Sequence, residues 1–268
     1  MNSLGRYEEV LKVVEALREQ MRSLPMEIRE PEETVVPWNV REGILDTGRE
    51  AAMRSEKFDL ALELNAELID EVKSRGATDL HLARTSFNDY FPLIRLKRQD
   101  EARGLLWACK AVFERERSID GLGMVFTAFA NLMNESGQVD QAVSFQETGL
   151  RYSYIFGDPE SIALDHHNLA VYLAKSESKS ALDHRLAGFV IRYQIGSRML
   201  ALSLKGLAFD LDKFGPEALP GSFNQLCDRV EQIGGVRFRE LFERLPTRAE
   251  DGDQLLKEII KMARGARP

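Results

Sequence analysis

The chain has 268 residues, is 44% hydrophobic and 29% charged, and carries a formal net charge of −7 at pH 7. This composition is typical of a folded globular protein, and the acidic excess argues against a general nucleic-acid binder, which would show a basic face. The sequence has no signal peptide and no apolar run of about 18 residues, so we expect a cytoplasmic protein that spans no membrane.

The N-terminal residues 1–24 predict the second helix of a pair whose first helix is missing, with apolar residues at helical spacing at Val10, Val14, Leu17 and Met21. We therefore expect the C-terminal piece of a longer protein; the alternative is a lone N-terminal helix that caps the fold. Residues 25–37 contain three prolines, which forbid a continuous helix and predict an extended, proline-rich connector.

Between residues 38 and 199 one sequence pattern recurs: a helix ends, a short polar turn follows, and a second helix begins with an alanine near its start. These alanines are 41, 40 and 39 positions apart, at Ala61, Ala102, Ala142 and Ala181. Such a period is typical of stacked helix pairs, each of which buries its apolar face against its neighbours. No segment alternates with the period of a strand, so the sequence predicts an all-α solenoid.

The third and fourth repeats carry the clearest signals for helix ends. Gly137 suits a left-handed position after a helix, and Asp158 followed by Pro159 predicts a capped helix start. The Gly121-Leu122-Gly123 segment is interpreted as the break before the third repeat. Residues 200–268 contain shorter apolar stripes separated by glycine and proline pairs, which predicts a helical C-terminal cap.

The repeats resemble the tetratricopeptide repeat. The resemblance is carried by Gly137, Val139 and Ala142 at one turn, by the small residue Ala130, and by Asn168-Leu169-Ala170 with Tyr172. It covers residues 38–195 well and 3–24 in part, although the period of about 40 exceeds the family's usual 34. It implies a right-handed α-solenoid that binds a peptide, a partner protein or a small effector in its concave groove.

Repeats of this length resemble the C-terminal sensor arrays of bacterial signal-transduction ATPases with numerous domains, as do the segments 37–42 and 46–49. This narrower resemblance implies a sensor or regulatory role in a larger bacterial protein. The chain itself has no nucleotide-binding motif, so any ATPase part would lie outside it.

No catalytic or metal-binding pattern emerges. His166 and His167 are neighbours and point about 100° apart on a helix, so they cannot grip one metal ion well. Glu63, Glu67 and Glu71 are interpreted as a solvated helix face. Cys109 and Cys227 lie far apart among apolar neighbours, which favours buried thiols in a reducing compartment. We therefore expect no enzyme activity, no cofactor and no metal.

We expect the ligand to contact polar residues on the first helices of the pairs, because these helices line the inner wall of a solenoid. Arginine and asparagine side chains there could hydrogen-bond a peptide backbone or a terminal carboxylate. The alternative is a scaffold or self-association module that has no separate ligand. The candidate groove residues are Asp46, Glu50, Arg54, Arg84, Asn88, Arg95, Thr127, Asn131, Asn134, His167 and Lys175.

Overall fold

A computed structural model describes residues 5–23, 37–245 and 251–265, so the predicted connector lies almost wholly outside the described residues. Within these ranges the chain forms helices and no strand, which confirms the predicted all-α fold. The α-helices are α1 Tyr7–Met21, α2 Pro37–Arg54, α3 Phe58–Ser74, α4 Asp79–Phe87, α5 Tyr90–Arg95, α6 Gln99–Arg115, α7 Ile119–Glu135, α8 Val139–Phe156, α9 Pro159–Lys175, α10 Ser180–Ile195, α11 Leu200–Phe214, α12 Phe223–Val230, α13 Phe238–Arg244 and α14 Gly252–Gly265.

The chain divides into two compact units, Met1–Ser118 and Ile119–Pro268. In the first unit, α1 packs on α2, α2 pairs with α3, and α6 packs on α4 and α5. In the second unit, α7 pairs with α8, α9 with α10, and α11 packs on α10 and α14. The pairs α2–α3, α7–α8 and α9–α10 are ones that the repeated pattern predicts. In the second predicted pair, the partner of α6 is divided into α4 and α5. The division between the units falls inside the predicted 38–199 array, and the proposed limits of that array and of the C-terminal cap stay predictions.

The four repeated alanines occupy equivalent positions near the start of the second helix of each pair, in α3, α6, α8 and α10. Each of them is at most 1% exposed. A methyl group is the largest side chain that leaves two helix backbones in close contact at such a point, and a bulkier residue would force them apart. The period of the sequence is therefore the period of these helix contacts.

The turn before each of these alanines shares one backbone geometry. A residue with positive φ ends each first helix, and the next amide donates a hydrogen bond of 2.8–2.9 Å to the carbonyl five residues back. This six-to-one bond is characteristic of the Schellman motif, which normally selects glycine at the left-handed position. Here the position is filled by Glu56, Lys97, Gly137 and Glu177, with φ between 57° and 75°.

The helix starts and the C-terminal stripes follow the sequence closely. Asp158 caps α9 by accepting a 2.9 Å hydrogen bond from the Ser161 amide, and Pro159 is the first helical residue, as predicted. In the C-terminal region the predicted apolar stripe is buried at Phe223, Leu226, Val230 and Ile233. One interpretation was wrong: Gly121 and Gly123 lie inside α7 and are buried, so they do not break the chain.

The left-handed turn residues generate a stability prediction. Lys97→Gly should raise the free energy of unfolding by about 0.5–1 kcal/mol, because glycine adopts the left-handed conformation without strain. Gly137→Ala should lower it by about 1 kcal/mol for the converse reason. Urea denaturation followed by circular dichroism measures both changes.

A matched control is Lys205→Gly, which makes the same replacement at an exposed position inside α11. It should destabilise by about 1 kcal/mol, because glycine is a poor residue in a regular helix. If Lys97→Gly destabilises as Lys205→Gly does, the turn stores no strain at Lys97.

Candidate ligand-binding site

A cavity of about 240 Å³ opens in the second unit at the start of α7, the end of α8 and the start of α9. We call it the α7–α9 cavity. Its polar lining includes Thr127, Ser153 and Asp165, and its apolar lining includes Met124, Phe156 and Leu164. It is the place in the described residues where a candidate groove residue, Thr127, meets both a buried charge and exposed apolar side chains.

Close contact between α7 and α8 sets the position of Thr127. A Cβ atom added to Gly149 of α8 would lie 2.8 Å from Thr127 Oγ1 and 3.3 Å from the Gly123 carbonyl oxygen of α7. Glycine at position 149 therefore lets the two backbones approach closely enough for the Thr127 hydroxyl to reach the neighbouring helices. Gly123 and Gly149 thus lie where α7 and α8 contact each other.

Asp165 forms the polar floor of the α7–α9 cavity and is 5% exposed. Its Oδ1 accepts hydrogen bonds from Thr127 Oγ1 at 2.9 Å and Gln146 Nε2 at 2.8 Å. Its Oδ2 accepts a 2.5 Å hydrogen bond from Ser153 Oγ. Burial raises the pKa of the Asp165 carboxyl, and the three hydrogen bonds act in the opposite direction. The floor is thus a carboxyl held by neutral donors from α7 and α8.

The apolar lining is unusually open to solvent. Met124, Phe156 and Leu164 are 44%, 55% and 47% exposed. Scattered exposed apolar residues are common on protein surfaces, but three that surround one concave polar site are typical of a binding surface. A ligand with an apolar part would bury these side chains and gain free energy in proportion to the area removed from water.

The candidate residues of α2 form ordinary surface ion pairs. Asp46 Oδ1 lies 2.6 Å from Arg49 Nη2, and Glu50 lies 3.9 Å from Arg54. Each pair lies within one helix, and at least one partner of each is exposed to solvent, where such pairs contribute little free energy.

The candidate residues of the second repeat are also spread out. Arg84 donates a 3.3 Å hydrogen bond to Ser118 Oγ, and Asn88 is half-buried where α4 ends. The Arg95 guanidinium lies 5.5 Å from the centre of the Phe58 ring, which is a cation–π contact. These side chains therefore stabilise their own unit, and the structure does not bring them together at one site.

In the second unit, three of the four remaining candidates contact a neighbouring helix. Lys175 Nζ donates a 2.6 Å hydrogen bond to Asn134 Oδ1, which joins α7 to α9. Asn131 is half-buried one turn from Thr127. His167 Nδ1 lies 2.7 Å from Arg185 Nη1 of α10, and burial together with Arg185 and Arg192 lowers the His167 pKa to about 4. Of the candidate residues, Thr127 alone is part of the α7–α9 cavity lining.

The two adjacent histidines point to different partners, as the helix geometry predicts. His166 is fully buried, with Nδ1 3.0 Å from His184 Nδ1 and Nε2 2.9 Å from the Tyr154 hydroxyl. Burial lowers the pKa of both His166 and His184, the latter to about 4. In the ranges that the structure describes, no three His, Cys, Asp or Glu side chains are grouped so as to hold a metal ion.

Cys109 and Cys227 are free and buried, as predicted, and burial raises the pKa of each thiol to about 11. A thiol with so high a pKa is a poor nucleophile. Across the described part of the chain, every helix is too short or too polar to cross a bilayer.

Sequence reasoning missed Asp165, Ser153 and the apolar lining. The signal that could have found Asp165 is its place on α9, three residues after buried Ile162 and four before buried Leu169. A carboxylate on the apolar stripe of a helix must be hydrogen-bonded inside the protein. Leu164 gives the complementary signal, because it is a large apolar residue beside that stripe rather than on it.

The Asp165 network generates a second stability prediction. Thr127→Val removes the hydroxyl that donates to Asp165 Oδ1 and keeps the shape of the side chain, so it should lower the free energy of unfolding by about 1.5–3 kcal/mol. The control is Thr148→Val, because Thr148 Oγ1 donates only to the Ser144 carbonyl of its own helix and its loss should cost about 0.5 kcal/mol or less. Equal effects of the two changes in urea denaturation would contradict the role given to Thr127.

Comparisons with known proteins give a fold relationship alone. The chain matches no protein-family model and no curated protein. Among solved structures it is similar to the crystal structure of BtubC (BKLC) from P. vanneervenii, with a TM-score of 0.62 and 13% sequence identity. The similarity covers 92% of this chain and 97% of BtubC. At this identity it indicates a shared helical fold and carries no function from one protein to the other.

Proposed function

We propose that this chain is a non-enzymatic binding module of the tetratricopeptide type, and that it binds its partner at the α7–α9 cavity. The observation that carries the proposal is the combination of a preformed cavity, a hydrogen-bonded carboxyl in its floor and three exposed apolar side chains around it. Binding sites commonly join an apolar surface with a few fixed polar groups in this way.

A peptide segment of a partner protein fits this surface better than a buried small molecule. The cavity volume of about 240 Å³ is below the range of roughly 300–1,000 Å³ typical of small-molecule and cofactor sites. Beyond the cavity, α7 and α9 continue with Asn131, Asn134 and Lys175 on neighbouring turns. Amide side chains there could hydrogen-bond the backbone of an extended peptide. A small effector is the alternative occupant of the same surface.

The wider role follows from the resemblance to long-repeat sensor arrays. We propose a regulatory or sensor function within a larger bacterial signalling protein of the cytoplasm. Binding at the α7–α9 cavity would change the activity of such a protein only if the partner had different affinities for its two states. The free thiols Cys109 and Cys227 are compatible with a reducing compartment.

A second candidate function is self-association, which a different surface favours. The exposed side of α11 carries Leu202 and Phe209, which are 51% and 68% exposed, and Met199 just before the helix is 43% exposed. Light scattering across a concentration series tests this alternative. A monomer at high concentration excludes it, and a dimer that Phe209→Glu dissociates supports it.

Peptide display tests the leading proposal. Peptides are first selected from a random-sequence library on the full chain. Their affinity should fall at least about tenfold in the Leu164→Glu variant, because this change places a charge in the apolar lining and burying an unpaired charge opposes binding. Leu202→Glu is the matched control, since Leu202 is about as exposed as Leu164 but lies on α11. Fluorescence anisotropy measures both affinities. Selected peptides that bind the two variants equally well would place recognition elsewhere.

The asparagines give a further test of the same surface. Asn131→Ala combined with Asn134→Ala should weaken the selected peptides by a few-fold to about a hundredfold, because each amide offers hydrogen bonds to a peptide backbone. Helicity measured by circular dichroism should stay unchanged. A loss of helicity would make these side chains structural.

A further inference from the structure

Asp165 is a buried acidic group with no counter-ion in the part of the chain that the structure describes. Among the described residues, no Lys, Arg or His nitrogen lies within 4.0 Å of its carboxylate oxygens, whose partners are Thr127, Gln146 and Ser153. A carboxylate that is 95% buried is normally paired with a cation or a metal ion, because burying an isolated charge is expensive. Neutral donors offset only part of that cost.

The network around Asp165 also has a surplus of acceptors. Gln146 is fully buried, and its Oε1 accepts no hydrogen bond from the described residues. Buried carbonyl oxygens of this kind are uncommon in native proteins and usually indicate a missing donor. Gln146 does not line the α7–α9 cavity itself, but its unpaired oxygen shows that the hydrogen-bond network that holds Asp165 is short of donor groups.

The lining of the α7–α9 cavity also contains more acidic than basic side chains. Its ten lining residues include two carboxylates, Asp120 and Asp165, and no basic side chain. The N-termini of α7 and α9 lie nearby and carry partial positive charge, which opposes a bound cation. That effect fades within the first turn, where Asp120 and Asp158 already offset it, whereas Asp165 lies in the second turn of α9. Asp165 is thus the buried charged group of the cavity lining, and the basic partner that we consider would meet it beyond the first turn of α9.

The apolar lining suits the stem of a long basic side chain. Met124 and Leu164 are exposed beside the carboxyl floor, and the methylene groups of lysine and arginine pack on such surfaces while their charged ends reach a polar partner. A cavity of about 240 Å³ accommodates one side chain rather than a whole cofactor. Exposed Phe156 at the edge offers a contact to residues that flank that side chain in a polypeptide.

We propose that the α7–α9 cavity binds a lysine or arginine side chain of a polypeptide partner, with its charged end on Asp165 and its methylene stem between Met124 and Leu164. This proposal rests on the proposed function and specifies the chemistry of the partner. The charge-assisted hydrogen bond to Asp165 would supply the missing cation.

Two capped amino acids test the charge directly on the unmodified protein. Nα-acetyl-lysine methylamide should shift the amide resonances of Thr127, Ser153 and Leu164 in NMR titrations, and Nα-acetyl-norleucine methylamide should bind at least about tenfold more weakly, because it lacks the ammonium group. Equal affinities would overturn the proposal and leave peptide binding by the cavity intact. Absence of shifts with both compounds would also overturn it, while the display experiment judges the proposed function separately.

Variants of the chain then identify which carboxylate is responsible for the preference for lysine. Asp165→Asn should abolish the preference for lysine over norleucine, and Asp140→Asn, at an exposed position in the first turn of α8, should leave it unchanged. If Asp165→Asn does not fold, Asp120→Asn provides the second test and should reduce the preference about threefold. A preference that survives both cavity variants would contradict the proposal.

A last comparison separates a polypeptide from a free amine. Acetyl-Leu-Lys-Leu-amide should bind at least about tenfold more tightly than n-butylammonium, because its flanking leucines bury additional apolar surface on Phe156. Equal affinities would identify a small amine as the occupant and overturn the assignment to a polypeptide.

Discussion

Close approach of paired helices at small residues is the constraint on which the rest of this structure depends. Ala61, Ala102, Ala142 and Ala181 are all buried near the start of a second helix, and Gly149 extends the same principle along α8. Interiors are packed at crystal-like density, so an added methylene at such contacts has nowhere to go. The left-handed turns reverse the chain tightly enough for these contacts to form.

The candidate site is a consequence of this packing. Because Gly149 lets α8 approach α7, the Thr127 hydroxyl reaches Asp165 of α9, and the same carboxyl also collects donors from Gln146 and Ser153. Three helices thus fix one acidic group between them. Rigid helices hold such a group more accurately than a loop would, so little free energy is spent on ordering it when a partner binds.

Sequence periodicity predicted the helices, the pairing and the buried alanines, because each of these depends on residues close together in the chain. It failed where the outcome depends on a neighbouring helix. His167 turns to Arg185 of α10, and Asn134 accepts a hydrogen bond from Lys175 of α9; neither partner can be read from the helix that carries the residue. Gly121 and Gly123 suggested a break, but both lie inside α7, and Gly123 faces Gly149 of α8. Asp165 was recognisable only as a charge on an apolar stripe.

The two cysteines are distributed so that each compact unit contains one, Cys109 in the first and Cys227 in the second. Both are buried and have a pKa raised to about 11, so an alkylating reagent meets a reactive thiolate only when the surrounding helices open. The labelling rate of each thiol therefore reports how often its own unit opens. Opening of the two units can thus be measured separately without an added probe.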